Sequence, residues 1–197
     1  MRVLPLLLLA CVLSSPVRAE EPSRAASDSL PARFYLAADP LPYAMHGFSA
    51  HAGVLLPGQR FSVESALFYS RVGDSLLKLV ESSDAGFTAN LPGITLEGYW
   101  HAVKWERNAL LLGLQAHFDR FTVHYGSDPE EATFNQIYVF PTIAYQYFPF
   151  DSVGFFLKPF VSAGLPLLST SPVAVGGRTF QPLRVFPLAT VILGYQF

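Results

Sequence analysis

Five polar side chains share one setting in this sequence. His51, Glu64, Glu97, Gln115 and Lys158 each lie in a segment where apolar residues recur at every second position, and each falls on the opposite face. Two carboxylates, a histidine, a lysine and an amide held together in a confined space have two uses. They can neutralise one another as ion pairs and hydrogen bonds, or they can pass a proton or small ion along. A hydrolytic use needs a nucleophile as well. Ser49 stands two residues before His51 on the same face, with His46 and His124 near segment ends, and a serine, a histidine and an acid work together only within hydrogen-bond reach. The sequence has no His-Glu-x-x-His spacing and no glycine-rich phosphate loop, so no metal site and no cofactor are expected.

The elements that carry these residues are strands. Ile94, Leu96, Gly98, Trp100 and Ala102 alternate with Thr95, Glu97, Tyr99 and His101, and Leu110, Leu112, Leu114, Ala116 and Phe118 with Gly113, Gln115, His117 and Asp119. Segments around Phe48–Leu56, Phe61–Tyr69, Ile137–Phe148, Val153–Leu168 and Val185–Phe197 repeat the pattern. An alternation of period two is the mark of a strand with two unlike faces. Here one face is apolar throughout and the other small or polar, the reverse of a soluble barrel and the pattern of a transmembrane one.

Composition agrees. Of the 197 residues 51% are hydrophobic and only 14% charged, with a mean hydropathy of +0.32. One domain of this length does not ordinarily carry so much apolar surface in water. After residue 19 no apolar run reaches the roughly 20 residues of a spanning helix, so insertion must use strands, and only a closed barrel satisfies strand backbones in lipid. Arg2, the apolar run Val3–Leu13 and the small residues ending at Ala19 read as a signal peptide over 1–19. A competing reading, lipidation of Cys11 after Leu8-Leu9-Ala10, leaves an unusually short apolar segment. Cys11 is the only cysteine, so the mature chain is expected to have neither disulfide nor thiol chemistry. Residues 20–31 form a polar lead-in, and 32–197 the barrel. The net charge of −2 leaves no basic footprint for nucleic acid.

Connections set the topology. Pro57-Gly58, Lys104–Asn108 and Asp151-Ser152 are short, whereas Gly73–Pro92, Gly126–Thr133 and Ser169–Gln181 are long and polar. Short turns face the periplasm and long loops the exterior, which puts Phe197 on the periplasmic side. Seven strands would leave an odd barrel, so an eighth is expected at Arg33–Ala38, before the Asp39-Pro40 break. Counted from the periplasmic turns, His51, Glu64, Glu97, Gln115 and Lys158 all stand about 20 Å up their strands and form one layer. Pro141, Pro159 and Pro187 fall on the lipid side of three successive strands at one inferred height. As residues without an N–H, they mark a candidate lateral window. Asp74–Glu81, with Leu76, Leu77, Leu79 and Val80, reads as a loop side over the barrel mouth or a short surface helix.

The closing segment Leu193-Gly194-Tyr195-Gln196-Phe197 ends in an aromatic with apolar residues at every second position. With the strand pattern, this resembles the small eight-stranded outer-membrane proteins of the OmpA and OmpX type. The resemblance implies that Leu193, Tyr195 and Phe197 are read by the barrel-assembly machinery. It also implies a monomer among outer-membrane lipids and lipopolysaccharide. The expected fold is an all-β, antiparallel up-and-down barrel of about eight strands with a plugged polar interior. The expected role is structural or surface interaction through the outer loops, without catalysis. The alternatives are an outer-leaflet lipid-modifying enzyme with lateral lipid access and a narrow ion or proton channel.

Overall fold

The computed structural model describes residues 30–74, 77, 86–168, 171–182 and 185–197. The expected signal peptide, all but the last two residues of the lead-in, and most of the 74–81 segment lie outside the described residues. Eight strands close into one antiparallel ring: β1 (Arg33–Ala38), β2 (Phe48–Leu55), β3 (Phe61–Val72), β4 (Phe87–Trp105), β5 (Asn108–Tyr125), β6 (Glu131–Gln146), β7 (Phe155–Pro166) and β10 (Phe186–Gln196). A helix, α1 (Pro40–Ala44), follows β1, and two short strands, β8 (Val173–Val175) and β9 (Arg178–Phe180), stand between β7 and β10. β1 pairs with β2 on one edge and β10 on the other, so the strand inferred from parity closes the barrel.

Side-chain exposure shows which solvent each face meets. Leu114 is 57% exposed and its neighbour Gln115 1%; Ile94, Leu96 and Trp100 point out while Thr95, Glu97, Tyr99 and His101 are buried. A wall of exposed leucine, isoleucine, valine and phenylalanine cannot be accommodated in water and matches the hydrocarbon of a bilayer. Among the described residues no helix is long and apolar enough to cross a membrane. Around the end that carries Arg33, Phe197 and the short turns, Trp105 packs on Tyr145, Tyr145 on Tyr147, and Tyr195 on Phe197. Such an aromatic girdle sits at a lipid–water boundary. At the same end the Arg107 guanidinium, in the β4–β5 turn, donates to the carbonyls of Phe150, Asp151 and Val153 and lies over the Phe148 ring, tying two turns together.

The other end differs from expectation. The connection expected as a long loop at 126–133 is a tight link between Tyr125 and Glu131, because β4, β5 and β6 run to 19, 18 and 16 residues, well past the 9–11 that span a bilayer. The ribbon therefore projects beyond the membrane. The 169–181 loop contains the β8–β9 hairpin, whose turn residues Gly176 and Gly177 have φ of 56° and 69°. Two consecutive positive φ values define a turn that matches strand twist, and glycine adopts them without a Cβ penalty. The hairpin folds inward: Val175 and Phe180 are fully buried with Val72, Phe87, Val123 and Tyr138. The Gly176 amide donates to Glu130. Asp39, expected only as part of a break, caps α1 by accepting from the Leu41 amide at 2.8 Å.

The interior is thus layered rather than polar throughout. Tyr35, Phe148 and Phe156 form an aromatic floor at the short-turn end. A polar layer follows, and an apolar cluster closed by the hairpin fills the projecting end.

Candidate functional site

Each polar residue of the middle layer reaches the lumen because its strand alternates. In register, Gly53 faces Glu64, Glu64 faces Glu97 and Glu97 faces Gln115, which places three strands' inward side chains at one level. Lumen glycines make the room. A Cβ at Gly53 would lie 2.1 Å from the Tyr35 ring and one at Gly113 2.3 Å from the Tyr99 ring, so both tyrosines lie against bare backbone and aim their hydroxyls at the carboxylates.

Glu64 is the centre of one half. Its Oε1 is 2.6 Å from His51 Nδ1, and its Oε2 accepts from Lys158 Nζ at 2.5 Å and from the Tyr35 hydroxyl at 2.8 Å. Glu97 is the centre of the other, accepting from Thr95 Oγ1 at 2.9 Å and the Tyr99 hydroxyl at 2.6 Å. Gln115 Nε2 donates to the Tyr99 hydroxyl, and its Oε1 lies 3.0 Å from His117 Nε2. Lys158 also lies over the Tyr99 ring at 4.7 Å, so its ammonium bridges the two halves. All five residues expected in the layer are brought into it, with Gln115 reaching Glu97 through Tyr99 rather than directly. Sequence reasoning left out Tyr35 and Tyr99, whose hydroxyls complete the shells of the glutamates.

His51, Glu64 and Glu97 bring potential metal-donor atoms within 4.8 Å of one another. Lys158, bonded to Glu64, already supplies a positive charge to these carboxylates, which makes the arrangement a set of ion pairs. Ser49 is engaged elsewhere: its Oγ donates to the Asp39 carbonyl at 3.0 Å and accepts from the Asp39 amide. His51 turns its Nδ1 to Glu64, and His124 lies near Glu131 at the rim at 3.8 Å.

The three prolines are exposed on the lipid face, but not at one height. Pro187 pairs with Ala163, and the same Ala163 stands level with Pro141, where the β6–β7 ladder lapses between the pairs Val139–Leu165 and Thr142–Ser162. Pro159 lies four residues nearer the short-turn end, facing Val191. Counting residues from the nearest turn overlooks the stagger of tilted strands, and the β6–β7 turn is longer than the others.

A cavity of about 110 Å³ opens above the polar layer, beneath α1, with Glu97, Gln115 and His117 at one end and Phe121, Phe140 and Leu188 at the other.

No protein-family model and no characterised protein matches the sequence. Among solved structures the chain is similar to a major outer membrane protein from Thermus thermophilus, with a TM-score of 0.52 and 13% identity over 85% of this chain and 100% of that one. At such identity the likeness concerns the fold, and it agrees with the wall chemistry: the chain is a transmembrane, antiparallel β-barrel.

Proposed function

We propose that the chain is an integral outer-membrane protein of the small eight-stranded type that OmpA and OmpX represent, non-conducting and non-catalytic, which works as a structural and surface-interaction element through its projecting end. The observation that carries this reading is the filled bore. The Glu64–Lys158–His51 and Glu97–Tyr99–Gln115 clusters cross the lumen, and the Tyr35, Phe148 and Phe156 rings close it below. An eight-stranded barrel is narrow enough for side chains alone to fill it. The projecting β4–β6 ribbon, stiffened by the docked hairpin, then gives a folded platform outside the membrane. Closed barrels with an apolar exterior belong to outer membranes, which supports that location.

Purified protein reconstituted in planar bilayers tests the closed bore. No discrete conductance steps above the bare bilayer are expected, for the chain as it stands or after Glu97→Gln. Stepwise openings that scale with the amount of inserted protein would overturn the non-conducting reading in favour of a narrow channel.

A further inference from the structure

The β4–β5 ladder is continuous from Phe87–Tyr125 to Asn90–Thr122, lapses at Leu91 and Pro92 opposite Phe121 and Arg120, and resumes at Gly93–Asp119 without a change of register. Proline cannot donate to a ladder, and glycine leaves the wall bare on the lumen side. Outside this stretch runs a groove of about 710 Å³ in the lipid-facing wall. Its lower edge is apolar, with Leu67, Ile94, Phe118 and Ile137, and its upper edge carries Tyr69, Arg120 and Asn135. That change of chemistry marks the boundary between hydrocarbon and head groups. Phe68 and Asp119 line both this outer groove and the inner cavity. Groove and cavity meet at Gly93, where a Cβ would stand 2.4 Å from the Phe68 ring and 2.5 Å from Asp119 Oδ1.

The inner side of this meeting point carries acids without a lysine or arginine in its lining. Asp39, Glu97 and Asp119 line the cavity, and no lysine or arginine does. Asp39 Oδ1 accepts from the Leu41 amide and Thr190, and Glu97 from Thr95 and Tyr99. Asp119, 7% exposed, has no hydrogen-bond partner for its Oδ1. Gln136, its partner in the β5–β6 register, gives its Nε2 to the Leu168 carbonyl and leaves its own Oε1 without a donor. Two buried acceptors without donors thus belong to one ladder pair. Buried polar groups are normally satisfied, and an exception calls for a partner the chain itself does not supply. Phe68 and Phe140 flank His117 close by, at ring distances of 6.0 and 4.2 Å. A carboxylate, an amide oxygen and aromatic faces with no lysine or arginine among the cavity's lining residues suit an alkylammonium group, which donates in three directions and is attracted to ring faces.

We propose that this is a binding site for a membrane-borne alkylammonium amphiphile, its chain lying in the outer groove and its ammonium passing between β4 and β5 at Pro92–Gly93 to Asp119 and Gln136.

The test uses the folded barrel in zwitterionic micelles, titrated with dodecylammonium, dodecanoate or dodecanol while backbone amide shifts are followed by NMR. Dodecylammonium is expected to give saturable shifts at Gly93, His117 and Asp119, and dodecanoate none. Asp119→Asn should weaken binding about tenfold or more, the scale of a lost charge-assisted hydrogen bond. Pro92→Val restores an N–H and should slow exchange while leaving affinity within about twofold, since a portal governs rates and not equilibrium. Folding of each variant is checked by heat-dependent gel mobility; should Asp119→Asn not fold, Gln136→Leu removes the second acceptor and is expected to weaken binding in the same direction. Equal shifts with all three amphiphiles would reduce the site to an apolar slot and overturn the ammonium assignment. Absence of shifts would mean that water alone fills the cavity, and unchanged exchange in Pro92→Val would overturn the lateral route.

Discussion

Replacing Lys158 with Met is expected to lower the unfolding free energy of the barrel by about 3–5 kcal/mol, the scale of a buried ion pair that has lost one partner. The ammonium is 2.5 Å from Glu64 Oε2 and lies over the Tyr99 ring, and both residues of the pair are almost fully buried. Without it, Glu64 keeps His51 and Tyr35, but two carboxylates then share one layer with only a histidine to balance them. The double change Lys158→Met with Glu64→Gln removes the uncompensated charge and should recover most of the loss, because replacing both partners of a buried pair is often near neutral. Urea unfolding in detergent, followed by far-UV circular dichroism, reads the two variants side by side. Equal midpoints for the single and double variants would show that the layer is not a coupled network.

A comparably large effect is expected at the projecting end. Phe180 is fully buried, with its ring centroid 5.4 Å from Phe87 and 5.9 Å from Phe134. Phe180→Ala leaves a cavity under the hairpin and costs about 3–5 kcal/mol. A hairpin of two three-residue strands has few other contacts, so the cost should fall on docking of the cap rather than on the membrane-spanning wall. Arg178, exposed at the turn, is the reporter: trypsin cleavage there should speed up by about two to nearly four orders of magnitude, the kinetic equivalent of that free energy when opening is fast. The strands within the membrane should stay resistant. Unchanged protection of Arg178 would mean that the hairpin is held by something other than Phe180.

Much of the wall was legible because a transmembrane strand writes its environment into every second residue. Leu112, Leu114 and Phe118 against Gly113, Gln115 and His117 can be read in only one way once the apolar face is wider than any single-domain core would need. The strand β1 was legible for another reason, since its six residues carry a weak pattern and parity of the barrel demanded it. The polar layer followed from facing and height together. Tyr35 was not legible as a member, because a tyrosine in a strand is equally at home in a girdle or a lumen, and Tyr99, though legible on the inward face, gave no sign of where its hydroxyl reaches. In both cases the answer depends on the neighbouring strand, which offers bare backbone at Gly53 or Gly113. The β8–β9 hairpin escaped because three-residue strands are too short for period two to register, although Val175-Gly176-Gly177-Arg178 carries the turn chemistry of a tight hairpin. The proline heights failed for a geometric reason: strand stagger is a property of the closed ring, absent from any one strand. Pro92-Gly93 drew no notice on its own, since its meaning lies in what Asp119 and Phe68 do on the other side of the wall.

That the chain forms a closed barrel spanning a membrane with its apolar face outward is tested most directly by heat-dependent gel mobility of the membrane fraction. Unheated in dodecyl sulfate, the folded protein should run as a compact species and, on boiling, shift to the mobility of an unfolded chain of at most 21.6 kDa. The shift should occur in the outer-membrane fraction and be absent from the soluble one. A band whose mobility ignores heating, or protein recovered in the soluble fraction, would contradict the closed transmembrane barrel.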